Sequence, residues 1–63
     1  MSSTADMLLS AAVMQKQGME QAYAAIAQYA KMNSDEKLEH VSDEYKLILD
    51  HLNSVITILK TYE

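Results

Sequence analysis

The second half of the chain contains an unbroken heptad pattern of apolar and aromatic side chains. The pattern alternates spacings of three and four residues, which keeps side chains on one face of an α-helix in coiled-coil packing. Its members are Leu38, Val41, Tyr45, Ile48, Leu52, Val55, Leu59 and Tyr62. We therefore expect a long helix over about residues 35–62, with this face packed against a partner helix.

A first helix is predicted over about residues 3–32. Ser3 and Asp6 have the spacing of a capping box, in which the Ser oxygen accepts from a free N–H and the acid favours the positive end of the helix dipole. The chain has no Pro and one Gly, so little interrupts either helix.

The two predicted helices meet at a short polar turn. Asn33 tolerates the left-handed conformation that ends helices, and Asn33 or Ser34 can cap the second helix. Asp35 and Glu36 then lie in its first turn, where negative charge is favourable. Because a loop of two or three residues forces neighbouring helices to run antiparallel, we expect a single domain over residues 1–63, an all-α antiparallel two-helix hairpin.

Helix 1 is apolar over about half of its circumference when its residues are placed at about 100° intervals. One strip comprises Leu8, Ala12, Met19, Ala22, Ile26 and Tyr29. A second strip comprises Met7, Ala11, Met14, Gly18, Ala25 and Met32. One antiparallel partner covers only one strip, so the second strip is predicted to be a protein interface.

Small size reinforces the expectation of a partner. A single core in a chain this short supplies no more than about 3–5 kcal/mol, and disulfides, metals or further chains normally supplement it. The chain has no Cys and only two His. We therefore predict either a homodimer, forming a four-helix bundle, or binding to a helical partner protein.

The charge distribution argues against nucleic acids and membranes as partners. The net charge is −4, there is no Arg, and the excess acid lies in residues 33–63. Phosphate backbones and anionic membrane surfaces are bound through Lys and Arg. No stretch approaches the roughly 20 apolar residues of a membrane span. The N-terminal sequence lacks the features of a secretory signal, so we expect a cytoplasmic protein.

The candidate chemical groups favour structural interpretations over catalysis. His40 lies one turn from both Glu36 and Glu44, but these residues fall on the outer face of helix 2. His51 lies beside the apolar face. No nucleophile with a base and no Gly-rich phosphate loop is present, so we expect no enzyme, no metal and no cofactor.

One polar residue interrupts the apolar surface of helix 1. Gln15 lies between Ala12 and Met19, and two interpretations stay open for it. It is either partly exposed at the edge of a bundle or a buried amide that restricts register and oligomeric state.

The second half also resembles the small helical-hairpin co-chaperones of type III secretion needle subunits. In that family a Tyr in the second helix precedes a stretch of the form Leu-x-Ser-x-Ile-x-Ile-aliphatic. Here Tyr45 precedes residues 52–59, which read Leu-Asn-Ser-Val-Ile-Thr-Ile-Leu, with a shorter spacing from Tyr to Leu. The resemblance implies a cytosolic, non-enzymatic protein that docks on a helical-repeat chaperone and shields a subunit prone to polymerise.

In length and architecture alone, the chain is also similar to the plasmid copy-number regulator Rop, a hairpin that dimerises into a four-helix bundle. Rop binds RNA through basic residues on helix 1, where this chain offers only Lys16 and Lys31. The RNA-binding function is therefore not carried over.

These observations favour a non-enzymatic protein-binding module, a small adaptor or chaperone subunit that presents apolar helix faces to partner helices. The alternative is a small acidic regulator of nucleic-acid machinery, either Rop-like or acting as an acidic mimic. Its working surface would be Asp35, Glu36, Glu39, Asp43, Glu44 and Asp50.

Overall fold

The computed structural model describes residues 3–62 and consists of two antiparallel α-helices. Helix α1 spans Ser3–Asn33 and helix α2 spans Glu36–Lys60. The Cα atoms fill a rod of 49 × 15 × 10 Å. The predicted all-α hairpin is confirmed, and α2 continues without a break through its middle. The cap predicted at Ser3 depends on a side chain that lies outside the described part of the chain.

Helix α1 ends in a Schellman motif. The N–H of Asp35 donates to the carbonyl of Ala30 at 3.0 Å, and the N–H of Ser34 donates to that of Lys31 at 3.4 Å. Ser34 has a φ of 49° and is therefore the left-handed residue. The prediction that Asn33 takes this conformation is wrong. Asn33 closes the helix instead, with its side-chain amide donating to the carbonyl of Tyr29 at 2.9 Å.

Helix α2 begins at a carboxylate cap. Asp35 has extended backbone angles, and its Oδ1 accepts from the N–H of Leu38 at 3.1 Å. Asp35 is thus the cap in place of Asn33 or Ser34, because the Schellman motif commits the two preceding residues to ending α1. Glu36 and Glu39 lie in the first turn, where they favour the positive end of the dipole.

The helices touch along one stripe each, and every residue of both stripes is buried or half-buried. The stripe of α1 alternates spacings of four and three residues: Ala5, Leu9, Ala12, Lys16, Met19, Tyr23, Ile26 and Ala30. The stripe of α2 has the same spacing: Leu38, Ser42, Tyr45, Leu49, Leu52, Ile56 and Leu59. We call these the inward residues. Their heptad spacing indicates coiled-coil packing.

The inward stripe of α2 differs in part from the predicted face. Four members of that face, at positions 38, 45, 52 and 59, do point inward. Three others lie one residue before a buried position: Ser42, Leu49 and Ile56 are buried, whereas Val41 and Ile48 are exposed and Val55 is half-buried. The last member, Tyr62, is exposed. The apolar arc of α2 is wider than one stripe, so the pattern alone does not select which part of the arc faces α1.

The core between the helices is thin. Three of its buried apolar residues are alanines, and only Leu49 and Ile56 are large. Within residues 3–62, no large side chain falls below 2% exposure. Ala30 is 1% exposed and lies next to the turn. Burying a Leu or Ile completely stabilises a fold by about 1.5–3 kcal/mol, so two such residues contribute only a few kcal/mol.

Neither helix of the described region has an apolar stretch of the length needed to cross a lipid bilayer.

We predict that Ser34→Gly stabilises the hairpin by about 1 kcal/mol, because a left-handed backbone is unfavourable for residues with a Cβ atom. Ser34→Ala keeps the Cβ atom and is the matched control, with no gain expected. Urea unfolding monitored by circular dichroism measures both free energies. Equal shifts for Gly and Ala would contradict the assignment of the left-handed cap to position 34.

Candidate protein-binding surface

The two flanks of the hairpin differ sharply in polarity. A twofold axis perpendicular to the plane of the helices relates an antiparallel pair, so equivalent flanking positions of both helices lie on the same side. Counting equal numbers of residues outward from Asp35, between the two helices, we infer that Ala22 lies level with Ile48 and Gln15 level with Val55. Each side of the rod is therefore built from both helices.

One side carries the residues that immediately precede the inward positions 9, 16, 23 and 30 of α1 and 42, 49 and 56 of α2, followed by Tyr62 one heptad further on. We call it the apolar side: Leu8, Gln15, Ala22 and Tyr29 on α1, with Val41, Ile48, Val55 and Tyr62 on α2 and its C-terminal extension. Only Ala22 and Val55 are half-buried, and the other six are exposed. Ile48 retains 50% of its exposure at the middle of the rod. Gln15 is the one polar amide within this otherwise apolar or aromatic set.

A cleft at the open end of the hairpin shows that both helices contribute to this side. Leu8 and Tyr62 line it together with Thr4, Ala5 and Leu59, around a volume of about 450 Å³. Leu8 and Tyr62 therefore face the same space although they lie on different helices. The cleft fits the register derived from the turn.

The opposite side, which we call the polar side, carries most of the charge of the described residues. Its acids are Asp6, Glu20, Glu36, Glu39, Asp43 and Asp50. Lysines are interspersed among them, and Lys46 Nζ lies 4.0 Å from Asp50 Oδ1. Both side chains are largely exposed, so the pair contributes at most about 1 kcal/mol to stability. The polar side is a solvated surface of mixed sign.

The six predicted interface residues all lie on the exposed surface of α1. Ala11, Gly18, Ala25 and Met32 form a strip directly beside the apolar side, and Met7 and Met14 lie further round the helix. Within the described chain, a Cβ atom at Gly18 would meet nothing within 4 Å. The hairpin itself thus gives no packing reason for glycine there. Whether a partner covers this strip stays a prediction.

His40 lies on the outer surface of α2, as expected. Its Nε2 is 3.9 Å from Glu44 Oε1, and both side chains are more than half exposed. His51 is also exposed. Among residues 3–62, no three His, Cys, Asp or Glu side chains are placed to share a metal ion.

The tyrosines divide into two pairs that the pattern alone did not separate. Tyr23 and Tyr45 are inward and half-buried, whereas Tyr29 and Tyr62 are exposed at opposite ends of the apolar side. Aromatic rings with a hydroxyl are frequent in interfaces because one end is apolar and the other reaches water. What separates the two pairs is which heptad positions face the other helix: Tyr23 and Tyr45 occupy such positions, whereas Tyr29 and Tyr62 do not.

Comparisons with protein-family models, with curated proteins and with solved structures give no significant match to this chain.

We predict that Gly18→Leu leaves the hairpin folded and disrupts any assembly through the adjacent apolar side. Leu is favoured over Gly by about 0.8–1 kcal/mol in a helix, so a loss of stability would have to come from a contact outside the hairpin. Gln17→Leu, on the polar side of the same helix, is the control. Sedimentation gives the mass and circular dichroism the helicity. An unchanged mass for Gly18→Leu would show that this strip faces solvent.

Proposed function

We propose that the chain is a non-enzymatic protein-binding module, a small adaptor or chaperone subunit, which binds helices of a partner protein on its apolar side. The observation that supports this most is the segregation of the surface. One side of the rod combines exposed aliphatic and aromatic residues from both helices, while most of the charges lie on the other. Extended apolar patches on soluble domains mark interaction surfaces.

The shape of the apolar side favours a helical partner. Its residues form two parallel rows along the 49 Å rod, with heptad spacing in each row. An amphipathic helix laid along such a groove places its own apolar residues at matching intervals of three and four.

The resemblance to type III secretion co-chaperones is compatible with this proposal at the level of residues. In the stretch 52–59, Leu52, Ile56 and Leu59 are used within the hairpin. Val55 and Ile58 remain at least partly accessible, Ile58 with most of its surface. Accessible aliphatic residues in this stretch would be available to a helical-repeat chaperone.

The acidic alternative is supported by the exposure of Glu36, Glu39, Asp43 and Asp50. Against it, Asp35 is engaged as a helix cap, and Lys46 and Lys60 lie in the same surface. The mixed sign weakens the field that an acidic mimic needs in order to attract a basic partner.

Site-specific photo-crosslinking in cells that produce the protein tests the proposal. A photoreactive residue at Ile48 samples the apolar side, and one at Asn53 samples the polar side of the same helix. We expect adducts with a different protein from position 48 and few from position 53. Adducts mainly from position 53 would favour the acidic surface, and an absence of foreign adducts from position 48 would contradict the adaptor function.

A further inference from the structure

We propose that a second copy of the chain covers the apolar side when no other partner does, with each α2 lying over the α1 of the other copy. This inference rests on the proposed function only in using the same apolar side as the binding surface. Three observations support it: the exposed area, the placement of charge and the sizes of the side chains in the two rows.

The exposed area matches what one dimer interface removes. The chain exposes 5024 Å², roughly 900 Å² more than the ~4,100 Å² expected for a compact folded monomer of this mass. A standard protein–protein interface covers about 800 Å² on each partner. The rod shape accounts for the excess, because a two-helix layer has solvent on both of its faces. Stacking two such layers converts the inner faces into a core.

The placement of charge allows two copies of an acidic chain to meet. With a net charge of −4, two copies repel unless their charges stay apart. The eight residues of the apolar side carry no charge, and the acids of the polar side point away from it. The strip of α2 that borders the apolar side contains Lys37 and Glu44, whose opposite charges add no net repulsion at this edge. In a stacked dimer the two polar sides would be separated by two helix layers, about 20 Å, whereas the Debye length at physiological salt is about 8 Å.

The two rows of the apolar side are complementary in size. In the middle of α1 the side chains are small or flexible, with Ala22 and Gln15 bordered by Gly18. In the middle of α2 they are β-branched, namely Ile48 and Val55. Large residues pack best onto small ones, so α2 of one copy fits α1 of the other better than it fits a second α2.

If a twofold axis runs along the rod between the two copies, the contact of α2 with α1 of the other copy forms twice. Rotation about that axis keeps every residue at its level, so Ile48 of one copy lies over Ala22 of the other, and the reverse contact forms by symmetry. Gly18 lies between these levels and lets the helices approach closely. Gln15 would be covered in this arrangement, where an amide can restrict the register.

The dimer and a complex with another protein exclude each other, since both need the apolar side. A foreign helical partner must therefore displace one copy, and its apparent affinity falls as the concentration of the chain rises. The homodimer keeps the apolar side covered until such a partner is met.

Sedimentation equilibrium of the full chain at micromolar concentration tests the inference first. We expect the mass of two copies for the unmodified chain. Ile48→Lys should raise the dimer dissociation constant by more than about tenfold, because it places a charge at the centre of the interface. The matched control is Leu47→Lys, since Leu47 is 63% exposed on the outer surface of α2. It should leave the dissociation constant nearly unchanged.

A monomeric unmodified chain would overturn the inference, and so would equal weakening by the two lysine variants. If Ile48→Lys fails to fold, the unmodified chain still provides the decisive mass. A monomer that nevertheless yields foreign adducts from position 48 would leave the proposed function standing. A dimer that yields only self-adducts in cells would support the homodimer and contradict the proposed function.

The arrangement has its own test, because the chain contains no Cys of its own. Mixing a tagged Ala22→Cys chain with an untagged Ile48→Cys chain and oxidising the mixture should give mainly the mixed disulfide. The two positions face each other across adjacent helices, and a disulfide needs Cα atoms within about 7 Å. Predominant Ala22→Cys homodisulfides would place α1 on α1 and overturn the proposed arrangement.

Discussion

The structure depends on one constraint, which is that two helices in contact can bury only one stripe of each other. Here the buried stripe is largely small, with alanines on α1 and Ser42 at a core position of α2. Short side chains let the helices approach closely, but they remove little apolar surface from water. The hairpin is therefore well defined by its turn and its register, while much of its apolar surface remains outside the core.

That surplus is distributed unevenly, and the unevenness gives the molecule two distinct sides. Charges concentrate on one flank and aliphatic and aromatic residues on the other. A rod with a random surface would scatter single apolar residues, as α2 does with Leu47, and such residues need no explanation. The apolar side instead has two continuous rows, from Leu8 and Tyr62 at one end to Tyr29 and Val41 at the other. Such an arrangement requires an explanation.

The architecture follows from the sequence because the signals for it are local. Heptad spacing, the absence of Pro and a polar turn predict two antiparallel helices, and the structure confirms them. Selecting the inward stripe is a different problem, because it depends on how the two apolar arcs fit together. Lys16 occupies an inward position that charge alone would assign to the surface, since its aliphatic stem can pack while the ammonium reaches water. The candidate site was missed for the same reason, since seven of its eight residues, all but Gln15, were assigned to the contact between the helices.

The central claim is that the hairpin is completed by a partner on its apolar side. Thermal unfolding of the pure chain over about a hundredfold range of concentration tests this most directly, because association coupled to folding makes the midpoint depend on concentration. The account predicts a midpoint that rises steadily with concentration. A sharp, cooperative transition with a constant midpoint would show that the hairpin is complete by itself and would contradict the account.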